Sequence, residues 1–279
     1  MSQPSKRSLR LPGALLLVGA GKMGGAMLQG WLRLGLDPST VYVVDPQPAP
    51  EMRDELDRHG IALNPSSMPA PRVVVLAIKP QNVAGALKAV AQHVEKDTLV
   101  ISILAGTTLG LLDAGLPPGT AIIRAMPNTP AAIGRGITVL AANAEVEASH
   151  KRIAGELLEA VGDVAWIGDE DLMDAVTAVS GSGPAYVFHL TEALAAAGAK
   201  AGLPPDLAAR LARATVSGSG ELLRRSDLSP EVLRRNVTSP GGTTAAALDV
   251  LMAPDGLEWL MNRAVQAAAD RSRELGRGT

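Results

Sequence analysis

The chain has 279 residues, of which 47% are hydrophobic and 19% charged, with a formal net charge of −2. That length supports a sizeable core and two domains, and the balanced charge gives no handle for nucleic acid or a membrane surface. Cysteine is absent, which excludes disulfides, thiol nucleophiles and thiolate metal sites and suits a cytoplasmic setting.

Residues 1–10 read as a flexible tail. Lys6, Arg7 and Arg10 precede an apolar run from Ala14 to Ala20, an arrangement that loosely imitates a signal peptide. Lys22 and a group of glycines then stand where an apolar helix would have to continue. No stretch reaches the ~18 apolar residues that a membrane-spanning helix needs. Further on, Leu15–Val18, Val41–Asp45, Val73–Ile78, Thr98–Ile103 and Ala121–Arg124 read as buried strands. Amphipathic stretches, among them Ala26–Leu34 and Glu51–His59, lie between them. Strand and helix in alternation predict a parallel sheet with helices on both faces, which Ile137–Leu140 and Val164–Ile167 would extend.

The texture changes after Gly168. Ala- and Leu-rich helical stretches take over at Pro184–Ala201, Pro205–Leu223 and Leu257–Leu275, broken at Gly202-Leu203-Pro204-Pro205 and Ser226–Pro230. The expected organisation is an α/β sheet domain over residues 1–168 and an all-helical domain over 169–279.

Gly19-Ala20-Gly21-Lys22-Met23-Gly24 follows the first strand and opens a helix. The first glycine permits a tight turn, the second lets a pyrophosphate approach the backbone, and the third lets helix and strand pack closely. The helix start adds N–H donors for the anion. With Asp45 about 20 residues further on, the pattern predicts a Rossmann-type dinucleotide site. Lys22 would meet phosphate or simply be solvated. Asp45 would bind the adenosine ribose hydroxyls or start a turn with Pro46. No Arg or Lys lies between Asp45 and Arg53 to meet a 2′-phosphate, so the residues lean towards NADH over NADPH.

Four further segments narrow the field. Ala77-Ile78-Lys79-Pro80-Gln81 stands at a strand end, and Arg124-Ala125-Met126-Pro127-Asn128-Thr129-Pro130 is a rigid loop after a strand. The helical half carries Ser180-Gly181-Ser182-Gly183-Pro184-Ala185-Tyr186 and Val237-Thr238-Ser239-Pro240-Gly241-Gly242-Thr243-Thr244. In the last of these, two glycines precede the helical run Ala245–Leu251. A glycine-rich turn at a helix start suits an anion, although a simple cap has the same pattern. His59, His93, His150 and His189 are scattered without metal-ligand or triad spacing, and His189, inside an apolar helix, reads as a packing residue. Arg224-Arg225 and Arg234-Arg235 read as solvated helix faces.

In this order and spacing the segments resemble the pyrroline-5-carboxylate reductase family, from about Leu15 to Leu275. The resemblance implies reduction of 1-pyrroline-5-carboxylate to L-proline by hydride transfer from NADPH or NADH. It implies that Lys79, Pro80, Ala105 and Gly106 line the nicotinamide pocket and that the Asn128 loop lies against the cofactor. It also implies that Ser239, Gly241, Gly242, Thr243 and Thr244 hold the cyclic imino acid, with Thr244 at the ring nitrogen. Family proteins dimerise through interlocked helices, so a homodimer, or an assembly of dimers, with a shared site is expected. Two other readings remain. Hydroxyacid dehydrogenases of the 6-phosphogluconate dehydrogenase-like group share the Met-Gly in the turn, but they use a helical lysine after a Gly-Gly segment, and the last lysine here is Lys200. A dinucleotide-sensing protein without chemistry is the other.

Overall fold

The computed structural model describes residues 9–78 and 83–277. Eight strands form one sheet: β1 (Leu15–Val18), β2 (Val41–Val44), β3 (Ala62–Leu63), β4 (Val73–Leu76), β5 (Leu99–Ser102), β6 (Ala121–Met126), β7 (Gly136–Ala142) and β8 (Gly162–Trp166). Their order across the sheet is β3-β2-β1-β4-β5-β6-β7-β8. The strands from β3 to β6 are parallel to their neighbours, β7 runs antiparallel to β6, and β8 is parallel to β7. The expectation of a parallel sheet therefore holds up to β6. A short connection holding only one helical turn, Thr129–Ile133, separates β6 from β7 and is too brief for a crossover.

The helices of this part are α1 (Lys22–Arg33), α2 (Pro50–His59), α3 (Val83–Ala91), α4 (Leu109–Gly115), α5 (Ala148–Glu159) and α6 (Met173–Val176). Strand residues alternate between the two faces. Leu15 and Leu17 pack with Met27, Leu28 and Trp31 of α1, Leu56 of α2 and Leu157 and Leu158 of α5. Leu16 and Val18 face the opposite way, towards Val83, Leu87 and Val90 of α3 and Leu112 of α4. Burial on both sides is why the strands read as unbroken apolar runs. Trp31 is fully buried, and its indole N–H donates to the Leu157 carbonyl at 2.8 Å, which satisfies its polar atom. Leu9 corrects the expectation of a loose tail to residue 10. It is buried in the core of the first face, and its N–H donates to the Leu34 carbonyl at 3.0 Å.

The remaining helices are α7 (Gly183–Lys200), α8 (Pro205–Arg225), α9 (Pro230–Asn236), α10 (Thr243–Leu251) and α11 (Leu257–Arg277). The chain divides into two compact units, one of Met1–Gly181 with Ala269–Thr279 and one of Ser182–Ala268. This division falls later than residue 168 because the intervening segment is bonded into the sheet unit. Glu170 accepts from Arg124 Nη1 at 2.7 Å and from the Leu109 N–H at 2.8 Å, and Ser272 Oγ donates to Asp174 Oδ1 at 2.5 Å.

Within the helical unit α7 and α8 form a hairpin. Gly198 lets it close, since a Cβ there would already stand 3.3 Å from Leu203 and 3.4 Å from Ala208. Ala208 and Ala212 are buried, but no other residue of 182–268 is. Phe188, Leu222, Val250 and Met252 are all more than half exposed. His189 corrects its expected role as a packing residue, because its side chain is 82% exposed and sits beside Glu192. Arg224 and Arg225 pair with Glu221 and Arg235 with Glu231, as solvated helix faces do. Arg234 is half-buried and directs its guanidinium at Met252 Sδ. Among the described residues no helix is long and apolar enough to cross a membrane, and no cluster of side chains is arranged to hold a metal ion.

Candidate active site

At the carboxyl edge of the sheet, β1 runs into Gly19, whose φ of +93° is left-handed. A Cβ there would lie 2.6 Å from the Ala77 carbonyl oxygen, so only glycine fits between β1 and the end of β4. α1 then begins with Gly21 as N-cap and no side chain capping it. Its first N–H groups lack intrahelical acceptors, the arrangement that receives an anion at a helix start. Gly24 is buried under this turn, and a Cβ on it would overlap the Gly19 carbonyl oxygen.

Asp45 closes the turn from the neighbouring strand. Its Oδ2 accepts the Ala20 N–H at 2.8 Å and its Oδ1 the Gln47 N–H at 2.9 Å. Asn64 holds the backbone of Asp45 on both sides, Oδ1 accepting its N–H at 3.0 Å and Nδ2 donating to its carbonyl at 2.8 Å. Asn64 has a φ of 49°, the only positive φ among described non-glycine residues. An Asn tolerates that conformation, and here the side chain that stabilises it also fixes Asp45. Asn64 was not singled out from the sequence; Asn-Pro after an apolar pair was its one signal.

Gly19, Gly21, Lys22, Met23 and Asp45 line a single cleft of about 1000 Å³, together with Gln29, Gln47, Glu51 and Ala132. Gly24 supports that cleft from beneath. Lys22 is exposed at its mouth. Lys79 and Pro80 fall outside the described residues. Ala105 is exposed and Gly106 buried in the loop after β5, where the Gly106 backbone packs against Leu275 and Gly276 of α11. Asn128 does not line the cleft. Its Oδ1 accepts the Ile137 N–H at 3.0 Å and its Nδ2 donates to the Ser180 carbonyl at 3.2 Å. The buried Arg124 and its partner Glu170, which fastens the start of α4, were also not foreseen; their pairing joins residues 46 apart.

The helical unit carries the other candidate group. Gly241 has a φ of +69° and Gly242 is the N-cap of α10, again without a side-chain cap. Gly242 donates to the Ser239 carbonyl at 3.0 Å, and its own carbonyl accepts the first helical bond, from Ala246. The N–H groups of Thr243, Thr244 and Ala245 precede that bond and form a donor cluster at the helix start. Ser239 and Thr243 are exposed and Thr244 half-buried beside it. The turn thus has the donors and dipole for one carboxylate.

A doubly wound sheet, a glycine turn under an uncapped helix start and a carboxylate at the end of the second strand are the features of a dinucleotide-binding Rossmann fold. Comparison with known proteins narrows this. The family described as pyrroline-5-carboxylate reductase dimerisation matches residues 170–275, and one described as NADP oxidoreductase, coenzyme F420-dependent, matches 14–106. The chain is 39% identical over 263 residues to a pyrroline-5-carboxylate reductase of Pseudomonas aeruginosa, covering 94% of this chain and 96% of the relative. It is 42% identical over 266 residues to one of Synechocystis, covering 94% and 97%. A solved pyrroline-5-carboxylate reductase of Coxiella burnetii superposes with a TM-score of 0.88 at 34% identity over 95% of this chain and 99% of that one. The Plasmodium falciparum enzyme, solved with NADP bound, gives 0.78 at 28% identity over 95% and 98%. The chain belongs to the pyrroline-5-carboxylate reductase family, the NAD(P)H-dependent oxidoreductases that reduce 1-pyrroline-5-carboxylate to L-proline in proline biosynthesis.

Proposed function

We propose that the cleft of the sheet unit holds the dinucleotide while the Ser239–Thr244 turn holds the imino acid. The observation that carries this is the pair of uncapped helix starts, one in each unit, each reached through glycine. The first suits the pyrophosphate and the second the substrate carboxylate. The dinucleotide supplies a hydride when bound. The chain's own part is positioning and electrostatics. Backbone N–H groups of Thr243, Thr244 and Ala245 anchor the carboxylate, and the Thr244 hydroxyl hydrogen-bonds the ring nitrogen. A protonated imine is already electrophilic, so no acid–base dyad is required and orientation supplies most of the acceleration. The residues around Gly106 and the Met126–Pro130 loop complete the nicotinamide side. The protein works in the cytoplasm on a small cyclic imino acid.

NADH is the preferred cofactor in this reading. Asp45 sits where the adenosine ribose hydroxyls would lie, and Glu51 lines the same cleft, with Lys22 the one base among the described lining residues. A 2′-phosphate would meet fixed negative charge there. Steady-state kinetics should give the higher kcat/KM with NADH, and Asp45→Ser should shift the ratio towards NADPH by about tenfold, equivalent to ~1.4 kcal/mol. An NADPH preference that Asp45→Ser leaves unchanged would remove this role from Asp45.

The protein acts as a homodimer or an assembly of dimers whose site draws on two protomers. A helical unit with only two buried alanines and a surface of exposed Phe, Leu and Val has not buried its own apolar faces. Such surfaces mark obligate contacts, which commonly exceed ~2,000 Å². Light scattering at micromolar concentration should show at least two chains per particle; a stable, fully active monomer would contradict the shared site.

A further inference from the structure

Two sequence motifs that stand far apart meet in one joint of the sheet unit. Residues Thr177–Gly181 form a π-helical turn between α6 and α7. Such turns leave carbonyls out of register with their usual donors. The π-helical donor for the Ser180 carbonyl would be the Ala185 N–H, but that group donates to the Ser182 carbonyl at 3.0 Å, and the α-helical donor would be residue 184, which is Pro184 and has none. Asn128 supplies the missing donor through Nδ2, at 3.2 Å across 52 residues. Its other amide atom, Oδ1, accepts the Ile137 N–H at the start of β7. Gly181 lies against the Met126 side chain at the end of β6, its nearest neighbour being Met126 Cε. Within the turn, Thr177 and Ser180 hydroxyls satisfy the carbonyls of Met173 and Val176, at 2.8 and 3.0 Å.

We infer that Asn128 is a positioning residue: its side chain fastens the loop after β6 to the π turn that leads into α7, replacing the backbone donor that Pro184 removes. The loop lies at the carboxyl edge of the sheet, where ligands of open α/β folds bind, and the turn precedes the unit that carries the Ser239–Thr244 site. Asn128 therefore acts by setting where these segments stand, its amide being taken up by Ile137 and Ser180. This rests on the reductase reading for its kinetic consequence but not for its structural one.

The test is a double-mutant cycle between Asn128 and Pro184. Asn128→Asp keeps the acceptor for Ile137 and loses the donor to Ser180. Pro184→Ala restores an N–H to the helix at the position that should serve Ser180. With wild-type Pro184, Asn128→Asp should lower kcat for pyrroline-5-carboxylate by roughly ten- to a hundredfold, the scale of a ~1 Å misplacement, with the dinucleotide KM within about twofold. In the Pro184→Ala background the same substitution should cost less than a third of that factor. A raised dinucleotide KM at unchanged kcat, or an equal loss in both backgrounds, would overturn the clamp and make Asn128 a cofactor contact or a plain structural residue. Asn128→Ala replaces the aspartate if that variant does not fold. Melting temperatures of the same four proteins give the cycle without any substrate. An inactive wild type would thus sink the functional reading, while a non-additive melting cycle would still support the clamp and an additive one would reject it.

Discussion

Gly21→Val and Gly24→Val should both abolish dinucleotide binding, by different routes. Gly24 is buried where α1 crosses the end of β1, and a Cβ there overlaps the Gly19 carbonyl oxygen. That atom is backbone in a left-handed turn and cannot rotate away. The helix start must shift off the strand, which costs about 1–3 kcal/mol of stability and carries with it the N–H groups proposed to bind the pyrophosphate. Gly21 is different: a Cβ built on it meets nothing within 4 Å, and its φ of −69° is open to any residue. The protein itself has no need of a glycine there. The close approach of a pyrophosphate does. Gly21→Val should therefore lose no more than the ~1 kcal/mol of a poorer N-cap yet lose dinucleotide affinity by about a hundredfold or more, whereas Gly24→Val loses more stability as well as binding. Calorimetric titration with NADH and NADPH beside thermal melting separates the two. Wild-type affinity in Gly21→Val would show that the ligand does not pass over this turn.

Thr244→Ala should lower turnover by roughly ten- to a hundredfold, a loss of about 1.5–3 kcal/mol in the transition state. Thr244 stands second in α10, half-buried, next to the N-cap Gly242. The N-cap is a glycine with no side-chain cap. A pure capping role would predict a fall of about 1 kcal/mol in stability with little change in turnover. Melting and kinetics on one Thr244→Ala preparation decide between them. A lowered melting temperature with unchanged kcat and KM would reduce Thr244 to a helix cap. Gly242→Val should act on the other term, raising the substrate KM while dinucleotide binding persists, because its Cβ would crowd the Ser239 carbonyl at 3.1 Å and the space above the donors.

Much of this architecture was legible because burial on both faces leaves a plain trace. Leu15–Val18 and Val73–Leu76 are uniformly buried, and their apolar runs announced them. The glycine turn was legible for a steric reason that the structure bears out at Gly19 and Gly24. What the sequence concealed falls into two kinds. Short elements carry too little pattern: β3 is two residues, and the four-residue α6 merges into a π turn. Long-range polar pairings carry no local pattern at all. Nothing near Asn128 names Ser180, nothing near Arg124 names Glu170, and Asp45 gives no hint of Asn64. These bonds are what fasten the loops at the sheet edge. The reversal of β7 was hidden for a related reason, since strand direction follows from the connection rather than from the strand.

One assay with purified protein tests the reductase activity most directly. Oxidation of NADH or NADPH is followed with pyrroline-5-carboxylate, and reduction of the oxidised dinucleotides is followed with 3-hydroxy acids. Rapid, saturable oxidation with pyrroline-5-carboxylate, L-proline as product and no turnover of hydroxy acids is the expected result. Turnover of a 3-hydroxy acid without reduction of pyrroline-5-carboxylate, or dinucleotide binding with no turnover of either, would contradict it.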